Sequence, residues 1–503
     1  MTERPADRLR GLLRRPWWML PVMGLVAMLP VIVRRVGDPD YWWHELTGQL
    51  MWTNKVFARS EMYTYTVAGR SWTDHEYLSQ FLYYFLNRAG GLVLVSIGFS
   101  IVIWAGFWLV LARIRQHDFS PSIAGAALLL GAAAGFVVWG PRPQVFDFLF
   151  ISLELYWIER FLNRGSRALY AMPVVTVVWA NLHGGFVFSL FFLTLALVAV
   201  LLRWLTDGRA PVLVQQAKRL LLIGAGCAVA SVLTPYGVSL FAYVWSTQFS
   251  SQLAGFVTEW QSPDFHMLDL LPVEAMLLLL LVGFAWRRPR LLDVLYVVAS
   301  TVLALHAVRF IPILVATATP VLAWQWSEPW ARLRAWLRTR RIGRTRQWAG
   351  EALAMVLIAG TAGAVGVAAY TLHGQAASTR ANYPAAAADW LEANPQVGTH
   401  LFNEYSWGGY VTYRFYPTST RRVFIYGESE LMGDTLLAQY ADVNQLHSDW
   451  VQVLDSYGVD YVLFPNSKAL DAALHASPLW QCVYHDSVAS IFVRAPTPLP
   501  AAC

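Results

Sequence analysis

Long apolar runs separated by short polar connectors fill the first 371 residues of this 503-residue chain. A bilayer crossing needs ~20 apolar residues, and the pattern predicts about eleven of them. They fall at 17–35, 91–112, 121–139, 143–160, 168–182, 184–202, 218–234, 271–286, 291–305, 311–327 and 350–371. The stretch 168–205 would read as one long segment, but Asn181-Leu182-His183-Gly184-Gly185 divides it. Two regions break the rhythm, 36–90 and 372–503. In the second, short β-like runs at 422–426 and 460–464 alternate with helix-like stretches at 384–393 and 447–457, which predicts a small α/β domain. The expected fold class is therefore an α-helical polytopic membrane protein, residues 1–371, followed by a C-terminal α/β domain, residues 372–503.

Composition agrees: 56% of residues are hydrophobic and 14% charged, against about 25% charged in soluble domains. The basic residues give an orientation. With the N-terminus in the cytoplasm, the inner segments hold 24 of the 38 Lys and Arg, as the positive-inside bias requires. The C-terminal domain is then extracytoplasmic, and the expected location is a bacterial inner membrane. The net charge of +6 is spread among loops, which argues against a nucleic-acid partner. The basic stretch 332–346 reads as a cytoplasmic loop drawn to anionic membrane lipid. The first apolar segment is too long for a signal-peptide core and carries Pro21 and Pro30, so a retained helix is expected. The three cysteines, Cys227, Cys482 and Cys503, lack metal-ligand spacing. In an oxidising compartment Cys482 and Cys503 can pair.

Candidate chemistry concentrates in the first outer loop, 36–90. It opens with Asp38-Pro39-Asp40-Tyr41-Trp42-Trp43-His44-Glu45 and closes with Trp72-Thr73-Asp74-His75-Glu76. Carboxylates where a helix leaves the membrane are costly unless solvated, paired or used. Residues 46–52 suit an amphipathic segment in the interface, anchored by Trp42, Trp43 and Trp52. The loop's two ends return to neighbouring helix tops, so the acid clusters can approach each other. One use is a carboxylate base that takes a hydroxyl proton. Another is a divalent cation, Mg²⁺ or Mn²⁺, on Asp38, Asp40, His75 and Glu76, with His44 as a further donor. The competing reading makes the Trp residues anchors and the acids solvated.

Asp-x-Asp-x-Trp-Trp-His after the first helix and Trp-x-Asp-His-Glu before the second resemble the GT-C superfamily of polytopic glycosyltransferases. That superfamily includes protein O-mannosyltransferases, aminoarabinose transferases and oligosaccharyltransferases. The resemblance implies a GT-C-like fold with interfacial helices in the first loop, and a sugar donor linked to a polyprenyl phosphate. It also implies a glycan, lipid or protein acceptor, and a catalytic acid at Asp38 or Asp40. Asp38 is favoured as the base because it lies nearer the helix exit. His44, Trp72, Asp74, His75 and Glu76 are the accompanying substrate-site candidates.

In such a reaction the leaving phosphate is anionic and calls for cations or donors. The candidates at outer helix ends are Arg142, His183, His306 and Arg309. Snorkelling to lipid headgroups is the plain alternative for the two arginines, and an interhelical hydrogen bond for His183. Residues 259–266 suit a loop capping the cavity. In the C-terminal domain, Trp407 and Tyr410 suit sugar stacking or ordinary packing, and Gly427-Glu428-Ser429-Glu430 can face the same cleft. Two other functions compete. A polysaccharide polymerase or ligase calls for a late outer loop with Arg and His, whereas 235–270 contains no Arg. A lipid-linked glycan flippase calls for internal repeats and midplane charges, for which Glu154 is the main candidate.

Overall fold

The computed structural model describes residues 19–206, 209–249, 257–339, 346–496, 498–499 and 501. The chain forms two compact units, each built from separated stretches. The first comprises residues up to 34, 96–234 and 259–372; the second comprises 35–95, 235–258 and 373 onward.

The first unit is helical throughout its described residues. Every apolar interval read from the sequence falls on a helix, and the break at 183–185 is present: helix Met172–Leu182 ends there and Val187–Thr206 begins. Proline opens several of these helices, at Pro121, Pro173, Pro211 and Pro272, where its missing N–H costs nothing. Among the described residues, five helices are long and apolar enough to cross a membrane, and shorter apolar helices include Pro121–Ala134 and Leu291–His306. Of the five, Val308–Trp336 has 83% of its most apolar window buried, so it runs through the centre of the bundle. The outer helices carry exposed Val174, Leu222, Val229 and Leu281, side chains that favour a lipid surround over water. Buried charges are paired: Arg113 binds Glu159 at 2.9 Å and Arg290 binds Asp293 at 2.7 Å. Glu154, fully buried, accepts from Ser189 at 3.1 Å.

The second unit contains helix Tyr41–Asn54, the first turns of helix Tyr77–Ile114, helix Ser239–Phe249 and a four-stranded sheet. We label the strands β1 (Leu401–Asn403), β2 (Tyr461–Pro465), β3 (Trp480–His485) and β4 (Ala489–Arg494). Their order is β1-β2-β4-β3, with β1 parallel to β2 and the other pairs antiparallel. Helices Ala385–Ala393 and Ala469–Ala476 pack on this sheet. The expected strand at 460–464 and helices at 384–393 and 447–457 have counterparts in β2, Ala385–Ala393 and Trp450–Ser456.

The run 422–426 is not a sheet strand: it makes only isolated bridges, Thr64 to Val423 and His400 to Arg422. The Asn403 side chain replaces a neighbouring strand there. Its amide oxygen accepts from Phe424 N at 2.9 Å, and its NH₂ donates to Ile425 O at 2.9 Å. Trp42 and Trp43 are 6% and 2% exposed, so both are core residues, and of the three expected anchors only Trp52, at 45%, reaches the surface. The Cys482–Cys503 pairing lies outside the described residues, because Cys503 does.

Candidate functional site

Asp38 and Asp40 have different surroundings. Asp38 Oδ1 accepts the backbone N–H of Asp40 at 3.0 Å, forming a tight Asx turn before helix Tyr41–Asn54. Asp40 Oδ1 accepts from Trp43 Nε1 at 3.1 Å and lies over the backbone of Gly427. A Cβ at position 427 would stand 1.5 Å from that oxygen, so any other residue there would make the carboxylate move.

One turn into the helix, His44 reaches the second acid cluster. Its Nε2 lies 3.1 Å from Glu76 Oε2, and His75 Nε2 lies 3.1 Å from Glu76 Oε1. The Gln80 amide donates to Asp74 Oδ1 at 2.8 Å and faces His44 Nδ1 at 3.3 Å. Nδ1 is then the acceptor, and the Nε2–H donates to Glu76. One Glu76 carboxylate thus holds two imidazoles, and Gln80 ties Asp74 to His44. Gln80 is not legible from sequence: a lone glutamine at the start of a helix carries no spacing signal.

Asp74 is 1% exposed, and its Oδ2 has no hydrogen-bond partner among the described residues. Burial pushes its carboxyl up to about 8, and the Glu76 charge adds to the rise against the opposing hydrogen bonds from the Glu76 N–H and the Gln80 amide. The C-terminal stretch supplies two more acids. Glu428 is 5% exposed and raised well above the usual carboxylate range, first by burial and then by the charges of Glu76, Asp74, Glu430 and Asp40. Glu430 is raised by burial, against donors from Ser246 and Thr247. Helix Ser239–Phe249 braces this side: Tyr243 donates to Glu428 Oε1 at 3.1 Å, and its ring stacks on His75 at 4.3 Å.

The second unit therefore gathers Asp40, His44, Asp74, His75, Glu76 and Glu428 into one acid site. Such a site can accept a proton, orient a hydroxyl or hold a cation. The oxygen and imidazole donors suit a hard divalent ion. Asp74 and Glu428 are raised chiefly by burial, with neighbouring carboxylates adding to the rise. Of the other expected ligands, Asp38 has its Oδ1 in its own turn.

Other expected residues lie elsewhere in the second unit. Trp72 is 3% exposed and packs beside Trp43 and Tyr63. Trp407 and Tyr410 are both 5% exposed. Trp407 Nε1 donates to Asn382 O at 3.0 Å, and Tyr410 stacks on Tyr383 and meets Trp42 edge-on. The Tyr410 ring is thus packed by neighbouring aromatic side chains.

The first unit holds the expected cationic and donor residues. Arg142 pairs with Glu259, and Arg309 lies 4.2 Å over the Trp260 ring. The segment after Glu259 is also tied down, by Val308 N donating to Gln261 O at 3.0 Å. His306 is exposed at its helix end, where its carbonyl accepts from Ser262. His183 pairs through Nδ1 with Asp147 Oδ2 at 2.8 Å, and Trp179 Nε1 donates to Asp147 Oδ1 at 2.7 Å. Asp147, in the first turn of helix Val145–Arg164, stood unread in the sequence as one acid in an apolar run.

No family model matches the sequence, and no curated protein matches it. Solved structures do share its fold. Archaeal oligosaccharyltransferase AglB from Archaeoglobus fulgidus, in complex with an inhibitory peptide and a dolichol-phosphate, is 13% identical with a TM-score of 0.53, covering 97% of this chain and 75% of its own. The same oligosaccharyltransferase tethered to an acceptor peptide reaches a TM-score of 0.56 at 13% identity, with the same coverage. ArnT from Cupriavidus metallidurans bound to undecaprenyl phosphate is 12% identical with a TM-score of 0.53, covering 97% of this chain and 100% of its own. The chain thus shares its fold with these proteins.

Proposed function

We propose that this protein is an integral-membrane glycosyltransferase of GT-C type. It moves a sugar from a polyprenyl-phosphate-type lipid donor to an acceptor on the outer face of the membrane. The observation that carries the reading is the convergence of Asp40, Asp74, Glu76, His44 and His75 with Glu428 in one buried acid site. The fold it shares with AglB and ArnT, whose solved structures hold dolichol-phosphate and undecaprenyl phosphate, supports the donor class. The placement is a bacterial inner membrane crossed about eleven times, with the N-terminus cytoplasmic and residues 372–503 outside; the distribution of Lys and Arg supports it.

Asp40 is the base in this reading, because it lies against Gly427 and its charge reaches Glu428 in the acid site, whereas Asp38 Oδ1 accepts the Asp40 N–H. Asp40 takes the proton of the acceptor nucleophile, whose lone pair attacks the anomeric carbon. The bond from that carbon to the phosphate oxygen breaks, and the lipid phosphate leaves with the electron pair. His44 and Gln80 hold Glu76 and Asp74 in place without reorganising during the reaction. Asp40, His75 and Glu76 are the residues that would hold a divalent cation, and the chemistry it supplies when bound is neutralisation of phosphate charge. Arg142, His183 and Arg309 are the protein's own candidates for stabilising the leaving group.

Parallel Asp38→Asn and Asp40→Asn variants, assayed for sugar transfer in nanodiscs, test this assignment. An Asn at 38 keeps the acceptor oxygen for the Asp40 N–H, so activity persists. An Asn at 40 cannot take the proton, and the rate falls by about 10²–10⁴-fold. Full activity in a folded Asp40→Asn protein would remove Asp40 from the mechanism.

A further inference from the structure

The run Glu404-Tyr405-Ser406-Trp407-Gly408-Gly409 has the composition of a sugar platform, and its packing gives it a different role. Glu404 starts a single 3₁₀ turn over Tyr405–Trp407. Its carboxylate accepts from Trp407 N at 3.1 Å and from the Ser406 hydroxyl. Tyr405 N donates to the Tyr440 hydroxyl at 2.9 Å, which ties down the start of the turn. From there the Tyr405 side chain reaches the stretch just before helix Ser429–Asn444. Its hydroxyl donates to Gly427 O at 3.3 Å and meets the Ser429 hydroxyl. Burial first, and then the Asp40 charge, raise the phenol above its usual range, so it stays protonated and remains a donor. The residue it holds, Gly427, is the one that lies against Asp40 Oδ1.

The turn leads directly into helix Gly408–Phe415, whose first two residues are buried glycines. Both are close approaches that a side chain would block. A Cβ at 408 would lie 2.0 Å from Ile425 O, on the run that leads to Gly427. A Cβ at 409 would lie 2.9 Å from Pro39 O and 3.0 Å from Trp43 Cδ1. Pro39 immediately precedes Asp40, and Trp43 supplies the indole N–H that Asp40 Oδ1 accepts. One short segment thus reaches the surroundings of Asp40 from two sides, through Gly427 and through Trp43.

We propose that Tyr405 and Gly409 are positioning residues for Asp40. Tyr405 holds the backbone at 427–429 against the carboxylate, and Gly409 lets Trp43 close on it. This rests on the transferase reading above and deepens it by naming what keeps the base in place. It assigns the run to the base instead of to the acceptor sugar.

The test is steady-state sugar transfer by the full-length protein in nanodiscs, with donor and acceptor each varied, for Tyr405→Phe and Gly409→Ala. A misplacement of ~1 Å that originates away from the chemistry costs about 10²-fold, so kcat is expected to fall about 10–100-fold in each variant. Both KM values stay unchanged, because the lost interaction serves the transition state and not substrate binding. Placed on Asp40→Asn, either change costs nothing further, since both act only through that carboxylate. If Tyr405→Phe does not fold, Gly409→Ala, which keeps the phenol, carries the same test. Unchanged kcat in either folded variant, or losses that multiply with Asp40→Asn, overturns the proposal and leaves the transferase reading intact. A raised acceptor KM at unchanged kcat also overturns it, and makes the run an acceptor surface. Absence of transfer by the unmodified protein overturns both.

Discussion

Gly427→Ala probes the acid site without touching an ionisable group. The added Cβ would lie 1.5 Å from Asp40 Oδ1, 2.6 Å from Cγ and 3.2 Å from Oδ2. Non-bonded carbon and oxygen need about 3.3 Å, so the carboxylate must withdraw by about 2 Å. That movement breaks the bond from Trp43 Nε1, worth about 1 kcal/mol of stability. Asp40 is half-buried and its side chain can rotate, so the fold should survive. The kinetic effect is larger: a 1 Å misplacement of a reacting group costs about 10²-fold, equivalent to about 2.7 kcal/mol of barrier. Turnover in nanodiscs should therefore drop at least that far, while the unfolding temperature falls by only a few degrees. Adding Asp40→Asn to Gly427→Ala should cost nothing beyond Asp40→Asn alone. Wild-type turnover in folded Gly427→Ala protein would refute the placement of Asp40, and so would losses that multiply in the double variant.

Other outcomes follow from the same geometry. The Asp74 carboxyl, raised to about 8 from an ordinary value near 4, makes a stabilising contribution that is fully present below about pH 4 and is lost as pH rises through 8. Asp74→Asn, which keeps an oxygen for the Gln80 amide, should flatten this fall in pH-dependent unfolding measurements, and an unchanged slope would contradict the assignment. Glu428→Gln keeps an acceptor for Tyr243 and removes one of several crowded carboxyls. It should raise the unfolding temperature at pH 8, and a lowered one would mean that the Glu428 charge is compensated. Chelation by EDTA should reduce transfer, with recovery on adding Mg²⁺ or Mn²⁺; full activity after exhaustive chelation would remove the cation from the site.

The helices were legible because an apolar run of the necessary length has few other uses, and the break at 183–185 showed because glycine and histidine interrupt one such run. The pairing of the two first-loop clusters was legible in outline, since both lie on one loop with matching residue types. Its detail was not, because Gln80 and Tyr243 act through single hydrogen bonds that leave no periodic trace. The difference between the surroundings of Asp38 and Asp40 lies in one backbone N–H and one distant glycine, neither of which distance from the helix exit could weigh. The segment 422–426 has strand composition, yet only residues 422 and 423 make isolated bridges, and Phe424 N and Ile425 O bond the Asn403 side chain. Tyr410 has the composition of a sugar platform, yet aromatic neighbours from residues 42 and 383 pack against its ring. Asp147 and His183 lie on different helices, and folding alone brings them to 2.8 Å.

The most direct measurement follows both halves of the donor at once. The purified protein is reconstituted in liposomes with a doubly labelled undecaprenyl-phosphate sugar and a mixture of envelope acceptors. The account predicts that free undecaprenyl phosphate appears in step with label on an acceptor, and that neither appears with Asp40→Asn. Passage of the intact donor across the bilayer without cleavage would contradict it and make the protein a transporter.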